Sequence, residues 1–239
     1  MKRLFVNEIR FSKDEVDSNI YPFNIKCLRG FEKLRIDSPV TFFCGENGAG
    51  KSTLIEGIAI ALGLNPEGGS DNMQFSNYDD YSDLYKYLTI SKFGVPKTKF
   101  FLRAESFYNV ATDISKNGDL VYTTYGGEDL HLCSHGESFL KLVEHRFWDN
   151  GLYILDEPES ALSPQSQMTL LCYINDLVKR GSQFIIATHS PILLSYERAQ
   201  IIEVSKEIKE IKYEDTEAYQ IYKYFLNNPS RMQKALFEG

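Results

Sequence analysis

The sequence has no Cys-x-x-Cys pair. Its four cysteines, Cys27, Cys44, Cys133 and Cys172, stand far apart, which excludes a zinc ribbon and a thioredoxin-like redox site and leaves reduced, mostly buried thiols. No stretch approaches the roughly 18 consecutive apolar residues of a membrane span; the longest, 54–64, is broken by Glu56 and glycines. Near the N-terminus, Asn7, Glu8 and Arg10 interrupt any signal-peptide core, so a cytoplasmic location without membrane insertion is expected. Positive charge is in deficit, with 26 Lys plus Arg against 33 Asp plus Glu, a net charge of −7. Nucleic-acid binding by the surface as a whole is disfavoured, and a local basic patch is left open. Internal repeats and sustained heptads are absent, so no coiled-coil arm is written here.

What is present suits a folded protein: 239 residues, 43% hydrophobic and 13% aromatic. That length holds one large domain or a core with an inserted lobe. Residues 1 to about 44 read as strands, ending in the unbroken apolar run Val40-Thr-Phe-Phe-Cys44, which suits a strand buried on both faces. Leu54, Ile55, Ile58, Ala59 and Leu62 then recur at helical spacing. Turn formers fill 65–72, and 81–90 fits either a helix or a strand. The spacing predicts a strand over 99–104, a helix over 106–114, and turns at Asn117-Gly118 and Gly126-Gly127. From residue 137 onward helices (137–148, 164–179) alternate with strands (152–155, 184–187), the sign of a parallel sheet. After a strand at 200–204 and a Lys/Glu-rich strand, one amphipathic helix carries Ala218, Ile221, Tyr222 and Phe225.

Four motifs carry chemistry. Gly45-Glu46-Asn47-Gly48-Ala49-Gly50-Lys51-Ser52 fits G-x-x-x-x-G-K-[ST], between a buried strand and a helix that continues through Thr53. Its glycines let N–H groups face a phosphate chain, Lys51 supplies a fixed cation and Ser52 a hydroxyl for Mg²⁺. Leu152-Tyr-Ile-Leu-Asp156-Glu157 is an apolar strand ending in two acids. Asp156 can hold the Mg²⁺ that Ser52 touches, and Glu157 can accept a proton from an attacking water. His189 follows the strand 184–187, and in a parallel sheet all strand carboxyl ends open onto one edge, where ligands bind. Ser134-His-Gly136-Glu137-Ser138 has the form of a capping box before an apolar helix; it is either a cap alone or a helix start able to hold a phosphate. His131, His135 and His145 read as structural or surface residues. With Cys133, the first two supply no fourth ligand for zinc.

Together with Ser160-Ala-Leu-Ser163, these motifs resemble an ABC-type ATPase in order and spacing. More narrowly, Phe100-Phe-Leu-Arg-Ala-Glu-Ser-Phe107 and Asp156-Glu-Pro-Glu-Ser-Ala-Leu-Ser-Pro164 look like the small stand-alone P-loop ATPases often labelled AAA-type, related to SMC and RecF heads. The resemblance implies an α/β P-loop NTPase fold: an ABC-like core sheet, N-terminal antiparallel strands and an inserted lobe with the signature helix. It divides one domain into 1–64, 65–150 and 151–239. It also implies ATP and Mg²⁺ as ligands and a head-to-tail homodimer when ATP is bound, with Ser134, Gly136 and Glu137 meeting the γ-phosphate in trans. Glu157 polarises water, His189 senses or orients the γ-phosphate, and Glu105 matches a position that approaches the metal and the water, the alternative for Glu105 being a strand-end charge. The signature departs from the transporter form Leu-Ser-Gly-Gly-Gln, and Ser163 stands where an aspartate is common.

Three functions compete on this reading: an ATPase, a poorly hydrolysing regulatory module that recruits a partner, and the motor half of a membrane transporter. Lys92, Lys97, Lys99 and Arg103 form a run of four positive charges without intervening acid. They are either a solvated strand pair or a track for nucleic-acid phosphates in a DNA-linked process.

Overall fold

The computed structural model describes residues 4–13, 16–70, 81–104 and 135–238. In chain order its elements begin with β1 (Val6–Phe11), α1 (Lys26–Arg29), β2 (Lys33–Arg35), β3 (Val40–Cys44), α2 (Lys51–Ala61), β4 (Gly69–Ser70), β5 (Leu88–Lys92) and β6 (Thr98–Arg103). They continue with α3 (His135–Arg146), β7 (Gly151–Asp156), α4 (Pro164–Lys179), β8 (Gln183–Ala187), α5 (Pro191–Leu194), β9 (Gln200–Val204), β10 (Ile208–Ile211), α6 (Glu217–Asn227) and α7 (Pro229–Glu238).

The main sheet has seven strands in the order β10-β9-β3-β8-β7-β6-β4. Its five inner strands are parallel and its two outer ones antiparallel. The unbroken apolar runs occupy its middle: every residue of β3, β7 and β8 is buried. Side chains alternate between two cores, as period 2 demands. Phe42, Phe100, Tyr153, Leu155 and Ile186 join Phe139 and Leu142 of α3 and Leu170 and Ile174 of α4. Phe43, Phe101, Ile154 and Ile185 join Leu54, Ile55 and Ile58 of α2.

Over α2 lies the second sheet, β2-β1-β5, antiparallel throughout. Two buried glutamine side chains tie it to the first. Gln183 accepts from the Val6 N–H at 2.9 Å and donates to the Val6 carbonyl at 2.8 Å. Gln200 accepts from the Asp37 N–H and donates to the Arg35 carbonyl. Each side-chain amide thus continues a strand's hydrogen bonding where no strand is available.

Some expectations are refined. The ambiguous stretch 81–90 divides into a 3-10 turn, Asp83–Tyr87, and the strand β5. The turn-rich 65–72 contains the two-residue β4, and the short α1 interrupts the N-terminal strands. The single terminal helix is two, α6 and α7, because Pro229 at the start of α7 cannot continue α6. The helix α3, expected to carry the signature, packs on the main sheet with α4. The helix expected over 106–114 and the turns at 117–118 and 126–127 lie outside the described residues, as do His131 and Cys133.

Candidate functional site

The carboxyl ends of β3, β7 and β8 open onto one edge, and each delivers one motif there. The loop after β3 curls tightly because glycine alone fits it. Gly45 has φ +140°, and a Cβ on it would stand 2.1 Å from the Val204 carbonyl oxygen. Gly50 has φ +102°, and a Cβ there would meet Ile25 at 2.7 Å. Gly50 is also the residue that opens α2, with no side chain to cap the helix, so the first-turn N–H groups stay open to an anion. Gly48 also has positive φ, but its Cβ side faces open space.

Lys51 lies under this loop, 3% exposed. Its ammonium donates to the Gly45 and Glu46 carbonyls at 3.0 and 2.9 Å. Burial holds its pKa below the ordinary lysine value, against the raising influence of Glu157, Asp156, Cys44 and Glu159. A buried cation opposed in this way gains from an incoming anion, which favours the charged form.

Ser52 donates its hydroxyl to Asp156 Oδ1 at 3.1 Å, joining the start of α2 to the end of β7. Arg103, opposite Asp156 in the β6–β7 register, places Nε 3.6 Å from Asp156 Oδ2 and donates from Nη1 to Glu56 Oε2 at 2.8 Å. Sequence reading missed this role for Arg103, although its place at a strand end beside Asp156 was the available signal. Lys99, four residues earlier on the same face of β6, donates to the Leu62 carbonyl at the end of α2. Lys97 pairs with Asp149. The run of four positive charges is therefore not one outward track: strand alternation turns Lys99 and Arg103 toward α2.

Glu157 is held in the left-handed region, φ 50° and ψ 50°, while its N–H donates to the Ala187 carbonyl at 3.0 Å. A non-glycine residue there stores strain of about 1–3 kcal/mol, typical of sites where geometry is over-determined. The turn aims the Glu157 side chain at His189, with Oε1 3.3 Å from Nε2. His189 Nε2 is buried and makes no hydrogen bond among the described residues, the Glu157 carboxylate standing opposite it. The His189 loop is fixed on both sides: Thr188 N–H donates to the Phe43 carbonyl, and Ser190 caps α5.

A cavity of about 620 Å³ opens beside the loop. Gly45–Ala49 and His189 form one wall; Asn24–Lys26, Glu203, Lys206 and the start of α6 form the others. Only the first wall was legible in the sequence. Among the aromatics upstream of the glycine loop, Phe11 and Phe23 are engaged with each other and with Phe31 and Tyr87. Tyr21 is exposed and its hydroxyl lies 3.2 Å from Thr53 Oγ1, in the first turn of α2.

The segment expected to act as the signature approaches the turn after Glu157. Gly136 sits in the first turn of α3, where a Cβ would be 3.0 Å from the Ala161 carbonyl oxygen in the short turn after Glu157. Glu137 is one residue further along α3. Ser134 and Glu105 lie outside the described residues. The donor set fits a magnesium nucleotide: a hydroxyl and a carboxylate already paired, a buried cation opposed by burial, and an orphaned imidazole nitrogen.

A family profile described as "AAA domain" matches residues 20–228. An "Uncharacterized ABC transporter ATP-binding protein" of Haemophilus influenzae is 27% identical, over 65% of this chain and 65% of that relative's length. Among solved structures, the SMC head domain from Thermotoga maritima is similar with a TM-score of 0.48 at 14% identity, covering 87% of this chain and 99% of the other. CbiO1 from Clostridium perfringens, part of the ABC transporter complex cbiONQ, has a TM-score of 0.49 at 17% identity, covering 97% and 98%.

Proposed function

The chain belongs to the AAA-domain family of P-loop proteins, and from that membership we propose that it binds and hydrolyses ATP with Mg²⁺, as a cytoplasmic ATPase that closes into a head-to-tail homodimer on ATP. The observation that carries this reading is the pairing of Ser52 with Asp156 at 3.1 Å beside the buried Lys51. A hydroxyl and a carboxylate from separate elements meet where a phosphate-bound cation needs both.

Ser52 and Asp156, with Glu105 approaching, would hold the Mg²⁺, which neutralises charge on the phosphate oxygens when bound. The glycine loop from Gly45, with Glu46, Asn47, Gly48, Ala49 and Gly50, cradles the phosphates, Lys51 counters their charge, and Thr53 lies on the adjoining helix turn. Glu157 takes a proton from water as its oxygen bonds to the γ-phosphorus. The bond to the β–γ bridging oxygen breaks and ADP leaves. His189 orients the γ-phosphate. Ser134, Gly136 and Glu137 of the opposing protomer complete the site, so ATP adds contacts only in the closed dimer, the differential affinity a switch requires.

Purified protein incubated with Mg²⁺ and ATP tests the reading: phosphate release that stops with EDTA and falls about 10²–10⁴-fold in Glu157→Gln supports it. Unchanged turnover in that variant removes Glu157 as the base. A second reading, the nucleotide-binding motor half of a membrane transporter, is favoured by the name of the Haemophilus influenzae relative. Among the described residues no helix is long and apolar enough to cross a membrane. Co-purification of a membrane permease, with turnover at background in its absence, would favour this second reading over the first. A DNA-linked role would rest on Lys92 and Lys97, and salt-sensitive DNA binding that survives their replacement by Gln would remove them from it.

A further inference from the structure

The acid-rich turn after β7 contains a third carboxylate that the proposed chemistry does not use. Glu159 lies three residues beyond Asp156, in the one-turn 3-10 segment Pro158–Ala161. Its Oε1 accepts a short hydrogen bond from the backbone N–H of His189. Its Oε2 is buried and has no hydrogen-bond partner among the described residues. A buried carboxylate oxygen left unpaired is costly, and such groups persist where the arrangement serves the site.

We propose that Glu159 is the positioning residue of this site, its carboxylate holding the His189 backbone so that the imidazole stands against Glu157. The other bonds of the His189 loop lead elsewhere. Thr188 N–H donates to Phe43 on β3, Ser190 N–H to Thr188 Oγ1, and the Ser190 hydroxyl to Gln167 on α4. At His189, Glu159 supplies an acceptor from the loop that also carries Asp156 and Glu157. The Glu157 N–H returns the link by donating to the Ala187 carbonyl at the end of β8. The ends of β7 and β8 are thus laced in both directions, and the 3.3 Å separation of Glu157 Oε1 and His189 Nε2 is the product.

This role depends on reach and acceptor character, not on charge. Glutamine keeps both. Aspartate keeps the charge but is shorter by one methylene, and alanine keeps neither. Glu159 thereby differs from Asp156, which meets the Ser52 hydroxyl, and from Glu157, which meets the imidazole.

The inference rests on the ATPase reading for its kinetic arm only, so the full chain is examined in two ways. The first is the His189 backbone amide proton resonance in nucleotide-free protein. In the wild type and in Glu159→Gln it stands downfield, as a hydrogen-bonded amide does; in Glu159→Asp and Glu159→Ala it moves upfield. The second is steady-state Mg-ATP turnover. Glu159→Ala and Glu159→Asp lower kcat by about 10²-fold, the scale expected when a reacting group is displaced by about 1 Å, while KM moves little. Glu159→Gln restores most of the rate. Adding Glu159→Ala to His189→Ala costs nothing further, because both remove one function. Retention of activity by Asp with loss by Gln would overturn the inference and make Glu159 a charge-bearing group. An unmoved His189 amide in Glu159→Ala would overturn it as well. Absence of turnover in the wild type would defeat the ATPase reading, leaving the amide resonance to decide the role of Glu159.

Discussion

Glu157 Oε1 and His189 Nε2 face each other at 3.3 Å across the ends of two neighbouring parallel strands. The imidazole nitrogen has no hydrogen-bond partner among the described residues, so the pair is close without being closed. A group placed this way can turn to a phosphate oxygen while the carboxylate turns to water. His189→Ala is expected to lower the rate of ATP hydrolysis by about 10²–10³-fold, the scale of one lost transition-state donor, with ATP binding largely kept. Turnover assays beside calorimetric titration separate the two. Equal loss of binding and rate would assign His189 to ground-state binding.

Cys27 and Cys44 flank the glycine loop and are buried. Burial pushes the Cys27 thiol up to about 11 from 9.0, and the Cys44 thiol up to about 12, burial again first and the Glu203 carboxylate adding to it. Both remain protonated in the folded chain while the unfolded chain deprotonates near 9.0. Their stabilising contribution is therefore complete below pH 9.0 and falls as pH rises through about 11 for Cys27 and about 12 for Cys44. Urea unfolding at several alkaline pH values is expected to show this decline, shallower in Cys44→Ala. Iodoacetamide should alkylate the exposed Cys172 well before Cys27 or Cys44, read by peptide mass spectrometry. A pH-independent stability across the alkaline range would contradict the assignment.

Two glycines of one loop separate steric need from backbone need. At Gly45 a methyl group meets the Val204 carbonyl at 2.1 Å and φ is +140°; at Gly48 φ is +77° and nothing lies within 4 Å. Gly45→Ala should cost on the order of 2–4 kcal/mol, overpacking adding to conformational strain, and Gly48→Ala about 1–2 kcal/mol from the left-handed backbone alone. Chemical denaturation of both variants gives the comparison. Equal losses would mean that the approach of β9 to Gly45 is looser than it stands.

The candidate edge was legible because its signals are local. The glycine spacing that ends in Lys51 and Ser52, the apolar strand that stops at Asp156, and the strand before His189 each declare an element and its end, and parallel pairing brings those ends together. What was not legible depends on partners remote in sequence. Gln183 and Gln200 look like ordinary polar residues until the second sheet lies beside them. Lys99 and Arg103 fit either a solvated strand pair or a phosphate track in the sequence because charge alone says nothing about which face of β6 they occupy, and it is α2 that draws them inward. Glu159 gives no signal of its own in the sequence, since its partner is a peptide N–H that no motif encodes. The far wall of the cavity, from β9 to the start of α6, carries no recurring spacing at all.

Closure of two protomers on shared ATP is the central claim, and Glu157→Gln isolates it by preserving the shape of the site while slowing hydrolysis. Sedimentation velocity of this variant, with nucleotide binding verified by calorimetry on the same sample, tests it directly. The account predicts a monomer without nucleotide, a dimer with Mg-ATP, and return to monomer with Mg-ADP. A sedimentation coefficient that does not change at saturating Mg-ATP would contradict it.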